Sequence, residues 1–285
     1  MAKIGIIGGS GLYEMEDLNV LEERPLATPF GSPSGNFMIA RYNEIDVVFL
    51  ARHGKGHRIS PSRINYRANI FGMKKLGVDA IVSVSACGSL KEELKPLDFV
   101  LPDQFIDRTF KRETSFFTEG LAVHAAFGEP TAPELRAVLA DSARELGLGI
   151  HGSGTYVNME GPQFSTKAES NLYRAWGADV IGMTTATEAK LAREAEISYA
   201  TLAAVTDYDC WHETHESVSV EMIIKTLKKN VVNAQQILKL AIPRIAAMTE
   251  FSARDALRYA IITPPDMISE DKKRELEPLI GKYIK

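Results

Sequence analysis

The feature that most constrains this chain is an alternation. Short β-branched apolar runs take turns with amphipathic segments of helical period. Strand-length runs fall at Lys3–Ile7, Phe37–Arg41, Val47–Ala51, Ala80–Ser85, Phe99–Pro102, Thr155–Met159, Val180–Met183 and Tyr199–Thr206. Between them, Pro133–Leu146 puts Leu135, Val138, Leu139, Ser142 and Leu146 on one face and meets Gly147 as a stop. Ile64–Leu76 carries Lys74 and Lys75 in its last turn, where the helix dipole favours them, with Gly77 beyond. Lys167–Trp176 stops at Gly177, and the longest helix is predicted over about Val218–Ile245, with Ser217 or Ser219 near its start and Glu221 in its first turn. The alternation predicts an α/β fold, a single domain whose mixed central sheet is flanked by helices. Residues 1–250 form that domain. Residues 251–285, with Pro264-Pro265 and then Ser269-Glu270-Asp271 opening a charged helix, read as a C-terminal helical extension packed on or near the core. The mixed-polarity stretch Arg108–Pro133 reads as a long loop.

Composition removes several function classes. With 285 residues, 45% apolar and 25% charged, the chain can bury a sizeable core. Its 33 Lys+Arg against 37 Asp+Glu leave a formal charge of −4, which argues against nucleic-acid binding through a basic surface. Cys87 and Cys210 are the only cysteines, too few for a disulfide framework or a Cys-rich zinc site. The opening MAKIGIIGGSG suits a strand and turn better than a signal peptide, and no run reaches the roughly 18 apolar residues of a membrane span. The expectation is a cytoplasmic protein with a small-molecule substrate and no nucleic-acid or membrane partner.

In α/β folds ligands gather at the carboxyl ends of strands. Six polar clusters lie at such positions: GGSG, RHGKGH, SACGS, MEGPQF, the Thr184-Thr185 pair and TDYD. Together they predict one composite pocket. Gly8-Gly9-Ser10-Gly11 offers backbone N–H groups to an anion, with the Ser10 hydroxyl as a further donor; as a dinucleotide fingerprint it fails, because Glu14 stands where the third Gly belongs. Taken alone it is also compatible with a plain tight turn. Arg52 is a fork donor suited to phosphate and His53 a donor that can be charged. The His53/His57 spacing resembles a pair of metal ligands on a helix, but Gly54 and Gly56 argue against a helix. His212 and His215 lack the spacing of a zinc-protease helix and read as solvated. Asp207 and Asp209, two apart in an extended segment, face one side, and two close carboxylates push one pKa upward. A structural hydrogen-bond pair or a pair of surface-loop aspartates are the competing readings. Glu160 is the main other acidic candidate.

The blocks GIIGGSGL, TPFGSPS, ARHGKGHRISPSRINYRANI, SACGSL, DQFIDRT, EGPQFSTKAES, WGADVIGMTT and TDYDCW, in this order from about Lys3 to Ile245, resemble those of the 5′-methylthioadenosine phosphorylase branch of the trimeric purine nucleoside phosphorylases. The resemblance implies the nucleoside phosphorylase fold, a homotrimer, and phosphorolysis of an N-glycosidic bond with inorganic phosphate as co-substrate and no metal or organic cofactor. It implies that Ser10, Arg52, His53, Ser85, Ala86 and Thr184 hold phosphate, that Met183 underlies the ribose, and that Phe164 and Ser165 flank the purine. Asp207 would share a proton with purine N7 and Asp209 would accept from the 6-amino group. His57, Val220, Ile223 and Ile224 would line an apolar slot for the 5′ group, and His124 matches a residue lent by a neighbouring subunit. The alternative within the group is a phosphorylase of 6-oxopurine nucleosides, whose members carry Asn at the first aspartate. Thr187 stands where the family writes Pro, which bears on how the following helix starts.

Overall fold

In the computed structural model the described residues are 1–212 and 220–284, and the side chains of Ser10 and of residues 220–223 lie outside the description. The strands are β1 (Ile4–Gly8), β2 (Leu18–Arg24), β3 (Phe37–Tyr42), β4 (Ile45–Ala51), β5 (Ala80–Ser89), β6 (Phe99–Val100), β7 (Gln104–Arg108), β8 (Ile150–His151), β9 (Thr155–Met159), β10 (Val180–Gly182) and β11 (Ser198–Asp207). The helices are α1 (Tyr66–Lys75), α2 (Pro133–Glu145), α3 (Lys167–Ala175), α4 (Thr185–Glu194), α5 (Val220–Ala246), α6 (Glu270–Glu275) and α7 (Glu277–Ile280). Among the described residues all strands join one mixed sheet.

Alternate side chains sort onto the two faces. Ile4, Ile6, Val47, Phe49, Ala80, Val82, Ala200 and Leu202 pack with α2 and α5. Ile7, Val48, Leu50, Ile81 and Tyr199 pack with α1, α4 and the C-terminal segment. Both faces are covered, which is why the central strands read as unbroken apolar runs rather than alternating ones. In the segment after Phe251, Leu257, Ala260, Ile268, Leu276, Leu279 and Ile280 are buried in the same cluster as Ile70 and Phe71 of α1. Local signals set the helix ends. Asn65 caps α1, Thr166 and Glu169 form a reciprocal capping box on α3, and Ser269 caps α6. The expected caps of α5, Ser217 and Ser219, lie outside the described residues.

The eight predicted strands are all present, Thr155–Met159 with the same ends and the other seven with shifted ones, whereas β2, β7 and β8 had no clear apolar signal. β2 is an exposed edge whose LNVLEER is mostly polar, and β8 has only two residues. Residues 109–132 contain no helix and no named strand, as expected of a loop.

The long strand β5 creates the site. β11 runs parallel along one of its edges from Ala80 to Gly88. On the other edge β1 pairs with Ala80–Ser83, and β10 pairs antiparallel with Gly88 and Ser89. Between these two partners, residues 84–87 have no strand beside them on that edge. The sheet parts there, and a cavity of about 610 Å³ opens in the gap.

Candidate active site

Every one of the six polar clusters contributes to this cavity. Its wall includes Gly9 and Gly11, Arg52, His53 and His57, Ser85 to Gly88, Met159 and Phe164, Thr184, and Thr206, Asp207 and Asp209. Ser165, Met183 and Gly182 complete the sheet side, while Leu12 and, from α5, Ile224, Leu227, Asn230 and Val231 close it with mostly apolar surface.

At one end stand Arg52, His53, Ser85, Ala86 and Thr184. Arg52 is 3% exposed and far from a free fork. Its Nε donates to Glu188 Oε1 at 2.5 Å and its Nη2 to Glu188 Oε2 at 3.1 Å and Ser83 Oγ at 2.5 Å. Its Nη1 donates to Val84 O at 2.9 Å, where one edge of β5 has no strand beside it. Burial pulls the guanidinium pKa down, but the Glu188 carboxylate outweighs it, and the group titrates above its ordinary value. Glu188 also accepts from Ser83 Oγ and Tyr199 Oη, both at 2.9 Å, so its carboxylate is fully surrounded by donors. Of the five guanidinium hydrogens, one on Nη1 remains for a ligand. Ser85 Oγ and Thr184 Oγ1 are 3.4 Å apart, and Thr184 is the cap position of α4, so the positive end of a helix joins this wall. α4 starts at Thr185 without the family Pro: Ala186 N donates to Asn158 Oδ1 at 3.0 Å. Thr187 is buried, and its hydroxyl finds no hydrogen bond among the described residues.

The other end holds the aspartates. β11 bulges at Thr206, because Val205 faces Cys87 and Asp207 faces the next residue, Gly88. A bulge re-aims the side chain that follows it. Asp207 then closes a turn: its Oδ1 accepts from Asp209 N at 2.8 Å. Asp209 itself takes φ +52°. The pair meets through a left-handed turn residue and not, as the sequence spacing predicts, through strand alternation. Thr206 Oγ1 lies 2.6 Å from Asp207 Oδ2 and 3.2 Å from Cys87 O. Its single hydrogen serves one acceptor at a time: the carboxylate when ionised, the carbonyl when Asp207 is protonated.

Both acids titrate above the ordinary aspartate range. For Asp207 burial raises the pKa against the hydrogen bonds from Thr206 and Asp209 N. For Asp209 burial comes first, the Asp207 charge adds to it, and the hydroxyls of Ser170 and Ser165 pull the other way. Gly88 leaves room for the pair: a Cβ on it would stand 3.1 Å from Asp207 Oδ1 and 3.3 Å from Asp209 Cβ, so the aspartates would have to shift.

A phosphorylase superfamily profile matches residues 3–243. This chain belongs to the phosphorylase superfamily. Within it, the chain is 56% identical to an S-methyl-5′-thioadenosine phosphorylase of Synechocystis, covering 99% of this chain and 88% of that protein. It is 55% identical to the enzyme of that name from Thermosynechococcus vestitus, over 99% of both. A crystal structure of a methylthioadenosine phosphorylase from an antarctic soil metagenomic library superposes with a TM-score of 0.94 at 48% identity, covering 98% of each chain. The Schistosoma mansoni methylthioadenosine phosphorylase, solved in complex with adenine, superposes with a TM-score of 0.84 at 38% identity, covering 87% of this chain and 93% of that one. These alignments run past Phe251, so the C-terminal segment falls within the matched length in the Synechocystis, Thermosynechococcus and metagenomic enzymes.

Against this superfamily fold the sequence-predicted residues divide clearly. Arg52, His53, His57, Ser85, Ala86, Phe164, Ser165, Met183, Thr184, Asp207, Asp209 and Ile224 meet at one cavity. The side chains of Ser10, Val220 and Ile223 lie outside the described residues. His124 is not in the cavity: it is exposed, and its backbone N–H donates to Ala260 O at 2.9 Å. His53 is not a charged donor, since burial and then the charge of Arg52 lower it to about 4. Glu160 is structural. Its carboxylate accepts from Ser62, from the backbone N–H of Phe110 and Lys111, and from Arg112, so it pins the loop after β7. His212 is not solvated: it packs against Tyr208 and Trp211 and faces Glu92 at 3.1 Å. His215 lies outside the described residues. Sequence reading gave Glu188 no role, although a carboxylate on an otherwise alanine-rich helical face signals a buried partner. Among the described residues no three His, Cys, Asp or Glu side chains gather as metal ligands do, and no helix is long and apolar enough to cross a membrane.

Proposed function

We propose that this cavity carries out phosphorolysis of 5′-methylthioadenosine, yielding adenine and 5-methylthioribose-1-phosphate, with inorganic phosphate as co-substrate and no metal or organic cofactor. The observation that carries the reading is the joining, in one cavity, of a donor-lined end around Arg52, Ser85 and Thr184 with a pair of half-buried aspartates of raised pKa. The names of the relatives support the same substrate.

Ser10, Arg52, His53, Ser85, Ala86 and Thr184 hold phosphate, which is itself the nucleophile. A bound anion beneath the anomeric carbon both orients the attack and stabilises positive charge developing on the sugar. Asp207, whose pKa burial raises, shares a hydrogen with purine N7 and makes adenine a better leaving group. Asp209 accepts from the 6-amino group. A 6-oxopurine turns an acceptor toward that edge, and the mismatch costs about 1–3 kcal/mol. Met183 lies under the ribose, and Phe164 and Ser165 flank the base. His57 and Ile224 surround the 5′ group, joined by Leu12, Leu227 and Val231, whose apolar surface suits a methylthio group better than a hydroxyl.

The reading includes a homotrimer in the cytoplasm. Phe164 lines the cavity yet is 58% exposed, and His124 is exposed outside it, which fits surfaces that a neighbouring copy covers. The test is a phosphate-dependence assay over methylthioadenosine, methylthioinosine and inosine. Phosphate-dependent cleavage with methylthioadenosine preferred is expected. Cleavage without phosphate, or preference for inosine by a wide margin, overturns the reading.

A further inference from the structure

His53 offers a bound anion something other than a donor. Its Nδ1 lies 2.8 Å from the carbonyl oxygen of Ile59. A carbonyl oxygen only accepts, so Nδ1 carries the ring hydrogen. A hydrogen on Nε2 as well would make the ring a cation, and its surroundings oppose that. Burial comes first, Arg52 precedes the ring, Arg112 approaches from the loop after β7, and the His57 ring stacks on it at 4.1 Å; together these outweigh the Ile59 carbonyl, which favours the charged form. The acidic groups of this region are already engaged, Glu188 by Arg52 and Glu160 by Arg112. Among the described residues nothing hydrogen-bonds Nε2. His53 lines the cavity, and with Nδ1 committed Nε2 is the ring nitrogen left to offer a lone pair beside the donors of this wall: Arg52 Nη1, the hydroxyls of Ser85 and Thr184, and the start of α4.

We propose that His53 Nε2 receives a hydrogen carried by the bound oxyanion, so that the site takes hydrogenphosphate as it stands and a hydrogen-free oxyanion only together with a proton from solvent. The proposal rests on the phosphate reading above and adds the protonation state of the anion. Hydrogenphosphate turns its O–H toward Nε2 and leaves three unprotonated oxygens for the donors and for attack. No covalent bond forms or breaks on binding. Sulfate has the same shape and charge but no hydrogen near neutral pH. Its oxygen would face a lone pair, so its binding must place a solvent proton on His53.

The test is titration calorimetry of the full-length protein with phosphate and, separately, with sulfate, in two buffers of different ionisation heat. At about pH 8.5, where inorganic phosphate is hydrogenphosphate, phosphate is expected to bind with no net proton uptake and sulfate with uptake of about one proton. Raising the pH weakens sulfate by up to about tenfold per unit and leaves phosphate unchanged. His53→Asn abolishes the sulfate linkage; the wild-type proton counts decide the matter should that variant fail to fold. Equal proton counts for the two anions, or sulfate binding that ignores pH, overturn the proposal. If neither anion binds and turnover ignores phosphate, the phosphate reading itself fails and this inference falls with it.

Discussion

Replacing Glu188 with Gln tests how the anion end is held. The substitution keeps the volume and removes the charge. In the native structure the carboxylate takes four donors: Arg52 Nε, Arg52 Nη2, Ser83 Oγ and Tyr199 Oη. The two hydroxyls can turn to accept from a Gln amide, but Arg52 cannot. It is left as a buried cation without a counter-charge, since both partners are only 2–3% exposed. Breaking one side of such a pair costs about 3–5 kcal/mol. A chain of 285 residues has an unfolding entropy near 0.6 kcal/mol/K, so the melting temperature should fall by about 5–8 °C. The freed guanidinium no longer presents Nη1 in a fixed direction, so the phosphate KM should rise at least about tenfold, with a smaller change in kcat at saturating phosphate. Differential scanning calorimetry and phosphate-varied kinetics read the two effects. A melting temperature within about 2 °C of wild type, with an unchanged phosphate KM, would refute the claim that Glu188 positions Arg52.

Asp207→Ala should lower kcat by about 10²–10⁴-fold while moving the phosphate KM little, and equal losses in both would remove its role as proton donor. Asp209→Asn should narrow the preference for adenine over 6-oxopurine nucleosides by about 1–3 kcal/mol, measured as the ratio of kcat/KM values; an unchanged ratio contradicts the contact to the 6-amino group. Gly182→Ala should misfold or lose about 1–3 kcal/mol or more, because the new Cβ overlaps Tyr156 Oη; adding Tyr156→Phe restores little, since ring carbon Cζ stands 2.7 Å away. Glu194 gives a pH signature. Burial raises it to about 7, against hydrogen bonds from Phe116 N and Ser115. A carboxylate whose folded pKa lies above its unfolded value favours the fold when protonated. Its contribution is complete below about 4.5 and is lost as pH rises through about 7. Glu194→Gln should therefore flatten the stability curve over that interval, and parallel curves for the two proteins would count against the raised value.

Much of this protein is determined by local sequence. Apolar runs with helical segments between them dictate the sheet and its two covered faces. Gly77, Gly147 and Gly177, all at positive φ, end their helices where the sequence reading puts the stops. The grouping of polar clusters after strands already points to one pocket, because a parallel strand ends on the side where its crossover begins. Tertiary structure decided the rest. β10 pairs antiparallel with one end of β5 while β1 pairs with the other, and the gap between them is what makes a cavity; no local pattern encodes where two partners of one strand part. Arg52 and Glu188 are 136 residues apart, and only their burial together turns a free fork into a fixed one with a single hydrogen to offer. The same holds for His53. Its sequence neighbours suggest a charged donor, but burial, a committed Nδ1 and the charge of Arg52 make it an acceptor, because protonation depends on what the fold brings near and not on what the chain places beside it.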